Sequence, residues 1–136
     1  MAATLKLEIV TPEAKTYSEE VDMVTLPGVE GEMGIFPMHV PLMTQIVPGE
    51  IAVRKNGQEF HLAVGEGFVE ITQTHVAVLT DMAIRAENID EAQAEEARKR
   101  AEARLAEKLD DEETAMVSAA LAQSLAQLKV KRRQRP

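Results

Sequence analysis

Glycine, proline and the aromatic residues are confined almost entirely to one end of this 136-residue chain, and that partition limits its folds more than any motif. Every glycine lies at or before Gly67, no proline falls between Pro48 and Pro136, and the four aromatics (Tyr17, Phe36, Phe60, Phe68) all precede residue 69. Turns that need positive or fixed φ therefore belong to the first part, and uninterrupted helix to the second. The expected layout is a loop-rich β domain over residues 1–87 and a helical segment over 88–136. Charge divides at the same point. Through Glu87 five Lys and Arg stand against thirteen Asp and Glu, and beyond it ten stand against ten.

In the first part, LKLEIV alternates Leu5, Leu7 and Ile9 with Lys6 and Glu8, the period of a half-buried strand. VDMVTL at 21–26 is a second apolar run. Residues 51–64 read as a hairpin: IAVRK, a turn at Asn56-Gly57, then EFHLAV with Phe60, Leu62 and Val64 on one face. Asn-Gly suits a type I′ turn because both residues tolerate positive φ. FVEIT and HVAVLTDMAI follow, separated by a short Gln73-Thr74 connection. Many short strands at close spacing predict an antiparallel β-sandwich or barrel. With aromatics at only 3%, its core must be aliphatic.

From Asn88 the period changes to three and four. Asp90 followed by Gln93 marks a helix start, with Asp90 as N-cap and Gln93 as its capping-box partner. Ala94, Ala97, Ala101 and Leu105 form a stripe that Leu109 extends. The DDEE run at 110–113 suits the first turn of a second helix, where the dipole favours negative charge. Val117, Ala120, Leu121, Ser124, Leu125 and Leu128 form that helix's stripe, and KVKRRQR places cations at its C-terminal end. Two amphipathic helices joined by a tight acidic turn predict a helical hairpin. Because many stripe positions are alanine, each buries little apolar surface, so the hairpin should pack closely but hold weakly.

EGEMGIFPMHVPL, residues 30–42, fits neither period. Two prolines and two glycines break it, yet Met33, Ile35, Phe36, Met38, Val40 and Leu42 are more apolar than a return loop requires. It reads as an irregular contact segment.

Signs of catalysis are lacking. His39, His61 and His75 belong to no metal or acid–base motif, and His61 and His75 fall in expected strands. Gly65-Glu66-Gly67 is a bare G-x-G between strands, better read as a turn or bulge. The absence of cysteine removes thiolate nucleophiles and cysteine-ligated metals, and no metal site is expected. An acidic first part repels nucleic acid, so no nucleic-acid partner is expected. No run approaches the roughly 18 apolar residues of a membrane span, and MAATLKLEIV lacks the pattern of a secretory signal. A cytoplasmic chain that works by contact is the expectation.

Five segments then carry a family likeness. LKLEIVTPE, EGEMGIFPMHVPL, PGEIAV, AVGEGFVEI and IDEAQAEEARKRAEARL together resemble the epsilon subunit of bacterial F-type ATP synthases, over about residues 4–110. The resemblance implies a ten-stranded β-sandwich followed by a two-helix hairpin. It also implies a non-catalytic central-stalk subunit that couples rotor-ring rotation to the gamma subunit, on the cytoplasmic face of the inner membrane and without inserting into it. Carried over by position, the 30–42 loop meets the ring's c subunits through Glu32, Met38 and His39, while Met33, Ile35 and Phe36 fold inward. Met38 stands where many members have a small residue, usually glycine, which predicts a local turn different from theirs.

In the family the hairpin is either folded down on the sandwich or extended along gamma, where it obstructs ATP hydrolysis. Lys129, Lys131, Arg132, Arg133 and Arg135 would then meet acidic segments of the catalytic alpha/beta hexamer. Some members instead bind ATP between the helices through I/L-D-x-x-R-A, which makes an ATP-sensing regulatory subunit the alternative. Here Ile89 and Asp90 match, Gln93 replaces the arginine, and Arg100 matches a further arginine. A neutral amide lacks the charged bidentate contact that arginine gives phosphate, so any ATP binding should be weak and no cofactor is expected. A free-standing adaptor of the same shape is the third reading.

Overall fold

The computed structural model describes residues 3–133. Its elements are β1 (Leu5–Val10), β2 (Lys15–Val21), β3 (Met23–Gly28), β4 (Gly31–Ile35), β5 (Leu42–Ile46) and β6 (Gly49–Lys55). Then come β7 (Gln58–Val64), β8 (Gly67–Ile71), β9 (His75–Thr80), β10 (Ala83–Arg85), a 3-10 turn (Ala86–Asn88), α1 (Glu91–Leu105) and α2 (Asp111–Arg133). The architecture is the expected one, a sandwich followed by two helices.

The alternation in β1 buries Leu5, Leu7 and Ile9 completely. Val24 and Leu26, Ile51 and Val53, Leu62 and Val64, Val69 and Ile71, and Val76 and Val78 join them in one aliphatic core. Each such side chain contributes about 1.5–3 kcal/mol on burial. Asn56 (φ 53°) and Gly57 (φ 77°) turn β6 into β7 in the left-handed conformation that this pair tolerates.

The strands form one continuous path, β10-β7-β6-β3-β5-β8-β9-β1-β2, with β4 alongside β3. The path curls until its far parts meet, since Tyr17 of β2 lies 5.6 Å from Phe60 of β7 and Lys55 of β6 reaches Glu19 of β2 at 3.0 Å. Most pairings are antiparallel, but β1 and β9 run parallel, from Lys6 opposite His75 to Val10 opposite Leu79. Part of the supposedly irregular segment is regular: residues 31–35 form β4, paired with β3 from Val24–Ile35 to Gly28–Gly31.

Helix starts follow the acids. Asp90 caps α1 by accepting from the Gln93 amide at 3.0 Å, and Asp110 caps α2 by accepting from Glu113 at 2.7 Å. Helix α1 stops at Leu105, so Leu109 lies in the connection rather than on the stripe. The buried positions of α2 are Ser124, Ala126, Leu128 and Val130, whereas Ala120 and Leu125 are exposed. Ser124 and Leu128 are buried as the stripe predicts, and Ala126 and Val130 join them because the C-terminal half of α2 touches α1 and also β6 and β7. Ala126 and Val130 close over Ala63, Ala86 and Ile89 as a second, smaller apolar cluster. The hairpin is folded down.

Candidate functional site

The site is a surface with two sections. The first is the connection from β4 to β5. Ile35 is buried and Met33 packs on the core, as expected, but Phe36 is 57% exposed, contrary to the inward placement. The reason is local: β4 ends at Ile35 with its core-facing position filled, so the next side chain points outward. Met38 is 63% exposed and holds φ 71°, a left-handed conformation that glycine adopts most easily. Its amide donates to the Gln73 carbonyl at 2.7 Å, which ties the loop to the β8–β9 turn. His39 is half-buried, and its Nδ1–H donates to the Val40 carbonyl at 2.6 Å. Glu32 is exposed on β4 beside an open cleft of about 530 Å³ that Val29, Glu30 and Leu42 also line.

The second section is the outer face of β5, β8 and β9. Phe68 and Leu79 are register partners, 56% and 54% exposed, and Met43 lies on the same face one pair along. Met43 follows the Phe36–Leu42 loop directly in the chain, so β5 leads from the loop into this face. Sequence reasoning did not single out these three residues. The signal was present: Phe68 shares the solvent phase of its strand with Glu70, and Leu79 shares that of His75. Large apolar side chains in the polar phase mark a contact surface.

Charges border that face. Glu8 of β1 accepts from His75 Nε2 at 2.6 Å and pairs with Lys15 at 2.6 Å. The Lys15 ammonium, with help from His75, holds its carboxyl at about 2, well below the usual 4.5. On α1, Arg98 and then Arg132 likewise hold Glu95 at about 2. A carboxylate depressed in the folded state stabilises fully above its unfolded pKa, and the contribution disappears as pH falls through the folded value. Thermal midpoints should therefore fall as pH drops from about 5 to about 2. Glu8→Gln should flatten part of that slope in a pH series of melts, and an unchanged slope would show that the Glu8 network is not linked to folding.

Of the helical candidates, Asp90 and Gln93 meet at the start of α1, whereas Arg100 lies further along the helix. Asp90 spends its carboxylate on the cap, Gln93 is exposed, and Arg100 is an exposed residue 3.8 Å from Glu96. At the end of α2, Lys131 Nζ donates to the Ala86 carbonyl at 3.2 Å. Arg132 bonds Glu91 at 3.0 Å and Glu95 at 2.8 Å, and Arg133 pairs with Glu50 of β6. Lys129 is exposed, and Arg135 lies outside the described residues. Among the described residues no group of three or more His, Cys, Asp or Glu is arranged to hold a metal, and no helix is long and apolar enough to cross a membrane.

Comparison with known proteins agrees with this layout. The β-sandwich domain of the ATP synthase delta/epsilon chain matches residues 4–86, and the long alpha-helix domain of the same chain matches residues 87–132. The "ATP synthase epsilon chain" of Dehalococcoides mccartyi is 48% identical over 137 residues, covering 98% of both chains. That of Laribacter hongkongensis is 44% identical over 129 residues, covering 93% of this chain and 92% of its own. Among solved structures, a chain of the Euglena gracilis mitochondrial ATP synthase superposes with a TM-score of 0.77 at 24% identity, over 93% of this chain and 80% of that one. That likeness bears on the fold.

Proposed function

The chain belongs to the ATP synthase delta/epsilon family and is a non-catalytic stalk subunit of that complex, and on that premise we propose that it fastens the gamma subunit to the rotor ring. The observation that carries this reading is the set of large apolar side chains left exposed on one sheet face, Met43, Phe68 and Leu79, together with Phe36 and Met38 on the β4–β5 loop. The two sections differ in shape, and so do the proposed partners. The flat sheet face with Met43, Phe68 and Leu79 receives gamma. The projecting loop, with Glu32, Met38 and His39, meets the polar loops of the c subunits. A sandwich with one aliphatic core is stiff enough to carry torque between them. The complex would sit on the cytoplasmic face of the membrane, held there by its partners.

The hairpin is the proposed brake on ATP hydrolysis, with its terminal cations directed at acidic segments of the alpha/beta hexamer when it extends. A nucleotide-sensing role has less support, because Gln93 is neutral where that motif carries arginine and Arg100 lies beside the Glu96 carboxylate. Titration calorimetry with ATP reads this directly, and micromolar binding would favour the sensor.

The test of the main proposal is the complex with the chain's own gamma subunit. Phe68→Asp, alone and with Leu79→Asp, should weaken that complex by about 2 kcal/mol or more, roughly thirtyfold, as loss of a central aromatic anchor does. Native mass spectrometry and titration would measure it. An intact one-to-one complex in the double variant would place gamma elsewhere on the sandwich.

A further inference from the structure

The contact between α2 and the sandwich is short of apolar area. Its buried members are Ala63, Ala86, Ile89, Ala126 and Val130, three of the five alanine, with the half-buried Met82 and Ile84 packed against them. Around this small cluster lie polar ties: Gln123 to Asp81 at 3.0 Å, Lys131 to the Ala86 carbonyl, and Arg133 to Glu50. The last has the least ordinary setting. The Glu50 side chain is only 10% exposed, and its second oxygen lies 3.4 Å from His61 Nδ1 in poor hydrogen-bond geometry. Among the described residues Arg133 is thus the one well-formed charged partner of Glu50. A carboxylate so placed is costly to strand.

Adjacent arginines project in different directions on a helix. Arg132 turns back to Glu91 and Glu95 of α1, so it ties the two helices to each other. Arg133 turns to β6, so it ties the helix to the sandwich. We propose that Arg133 and Glu50 form an ionic latch that holds the hairpin down, separate from the Arg132 tie that keeps the hairpin itself closed. The latch goes beyond the proposed brake and does not require it. It makes the docked state sensitive to salt. It also divides opening into two steps, undocking of the hairpin as a unit and parting of its helices.

The natural chain has no cysteine, so a single introduced thiol reports cleanly. Ala126→Cys places it inside the docking cluster, where a thiol reagent reaches it only after undocking; Ala63→Cys serves the same purpose from the sandwich side. In the full-length chain at low salt, Glu50→Gln and Arg133→Gln should each raise the modification rate about three- to fivefold, the reach of a partly exposed ion pair. Arg132→Gln should raise it less. About 0.5 M salt should accelerate the parent and barely affect either latch variant. Exchange of the two charges, Glu50→Arg with Arg133→Glu, should bring the rate back toward the parent's. Parent-like rates in both Glu50→Gln and Arg133→Gln, with either thiol position, would overturn the latch. The measurement uses the isolated chain, so that outcome would leave the proposed brake to be judged on ATP hydrolysis.

Discussion

Gly67→Ala is expected to destabilise the sandwich by about 3 kcal/mol and lower its melting midpoint by roughly 10 °C. The cause is space rather than backbone freedom. Gly67 is not among the positive-φ residues, but a Cβ there would lie 1.9 Å from the Leu79 carbonyl oxygen and 2.8 Å from the Thr80 Cα. Both atoms are backbone of β9, which is held on its other side by β1. Gly67 also pairs with Ile46 of β5, so its own strand is fixed from two sides. Neither strand can withdraw without breaking ladder bonds. Gly65→Ala is the control. Its Cβ meets a side chain, Asp81 Oδ1 at 1.9 Å, which can rotate at the loss of the Gln123 bond. That should cost about 1 kcal/mol. Urea unfolding of both variants compares them, and equal losses would show that the β8–β9 approach is not the limiting feature of this G-x-G.

Features that depend on neighbours in the chain were legible. Asn56-Gly57 needs only its own φ preferences to turn the hairpin. Asp90 caps with an amide three residues on, and the alternation of β1 shows directly which side chains enter the core. Features set by distant segments were not. Nothing in LKLEIV says that its parallel neighbour is HVAVLT, seven tens of residues away in the chain, because both strands alternate in the same way. β4 was hidden because Gly31 and Gly34 break the apolar alternation, although β3 supplies its ladder. The direction of Phe36 follows from where that ladder ends. The stripe on α2 was legible only in part: Ser124 and Leu128 are buried, but Ala126 and Val130 were missed because periodicity finds one buried face and this helix has two neighbours. The cations of KVKRRQR were read as available to a partner, yet Arg132 and Arg133 are occupied by carboxylates 37 or more positions earlier.

Removal of residues 88–136 should raise ATP hydrolysis by the assembled enzyme while proton-driven synthesis persists. The main core runs from Leu5 to Val78 and takes no residue from either helix, so the shortened chain keeps its principal source of stability. It should give a cooperative melt and a β-type circular dichroism spectrum. It also keeps the entire proposed contact surface for gamma and the ring, which is why coupling should survive. What it loses is the segment proposed to change position. The latch sharpens the test, because Glu50→Gln leaves every terminal cation in place and removes only the internal carboxylate that occupies Arg133. If those cations act on acidic segments of the catalytic head, this variant should extend more often and hydrolyse ATP more slowly than the parent. Arg133→Gln releases the hairpin and also removes one of the cations it would use, so it should inhibit less than Glu50→Gln. Salt should reduce these differences, since exposed charges are screened over about 10 Å at 0.1 M. Hydrolysis by reconstituted enzyme at low salt should therefore rank truncated above parent, and parent above Glu50→Gln. Equal rates for truncated and intact enzyme would mean that the hairpin is no brake here, and a Glu50→Gln rate above the parent's would mean that the folded-down state is the inhibitory one.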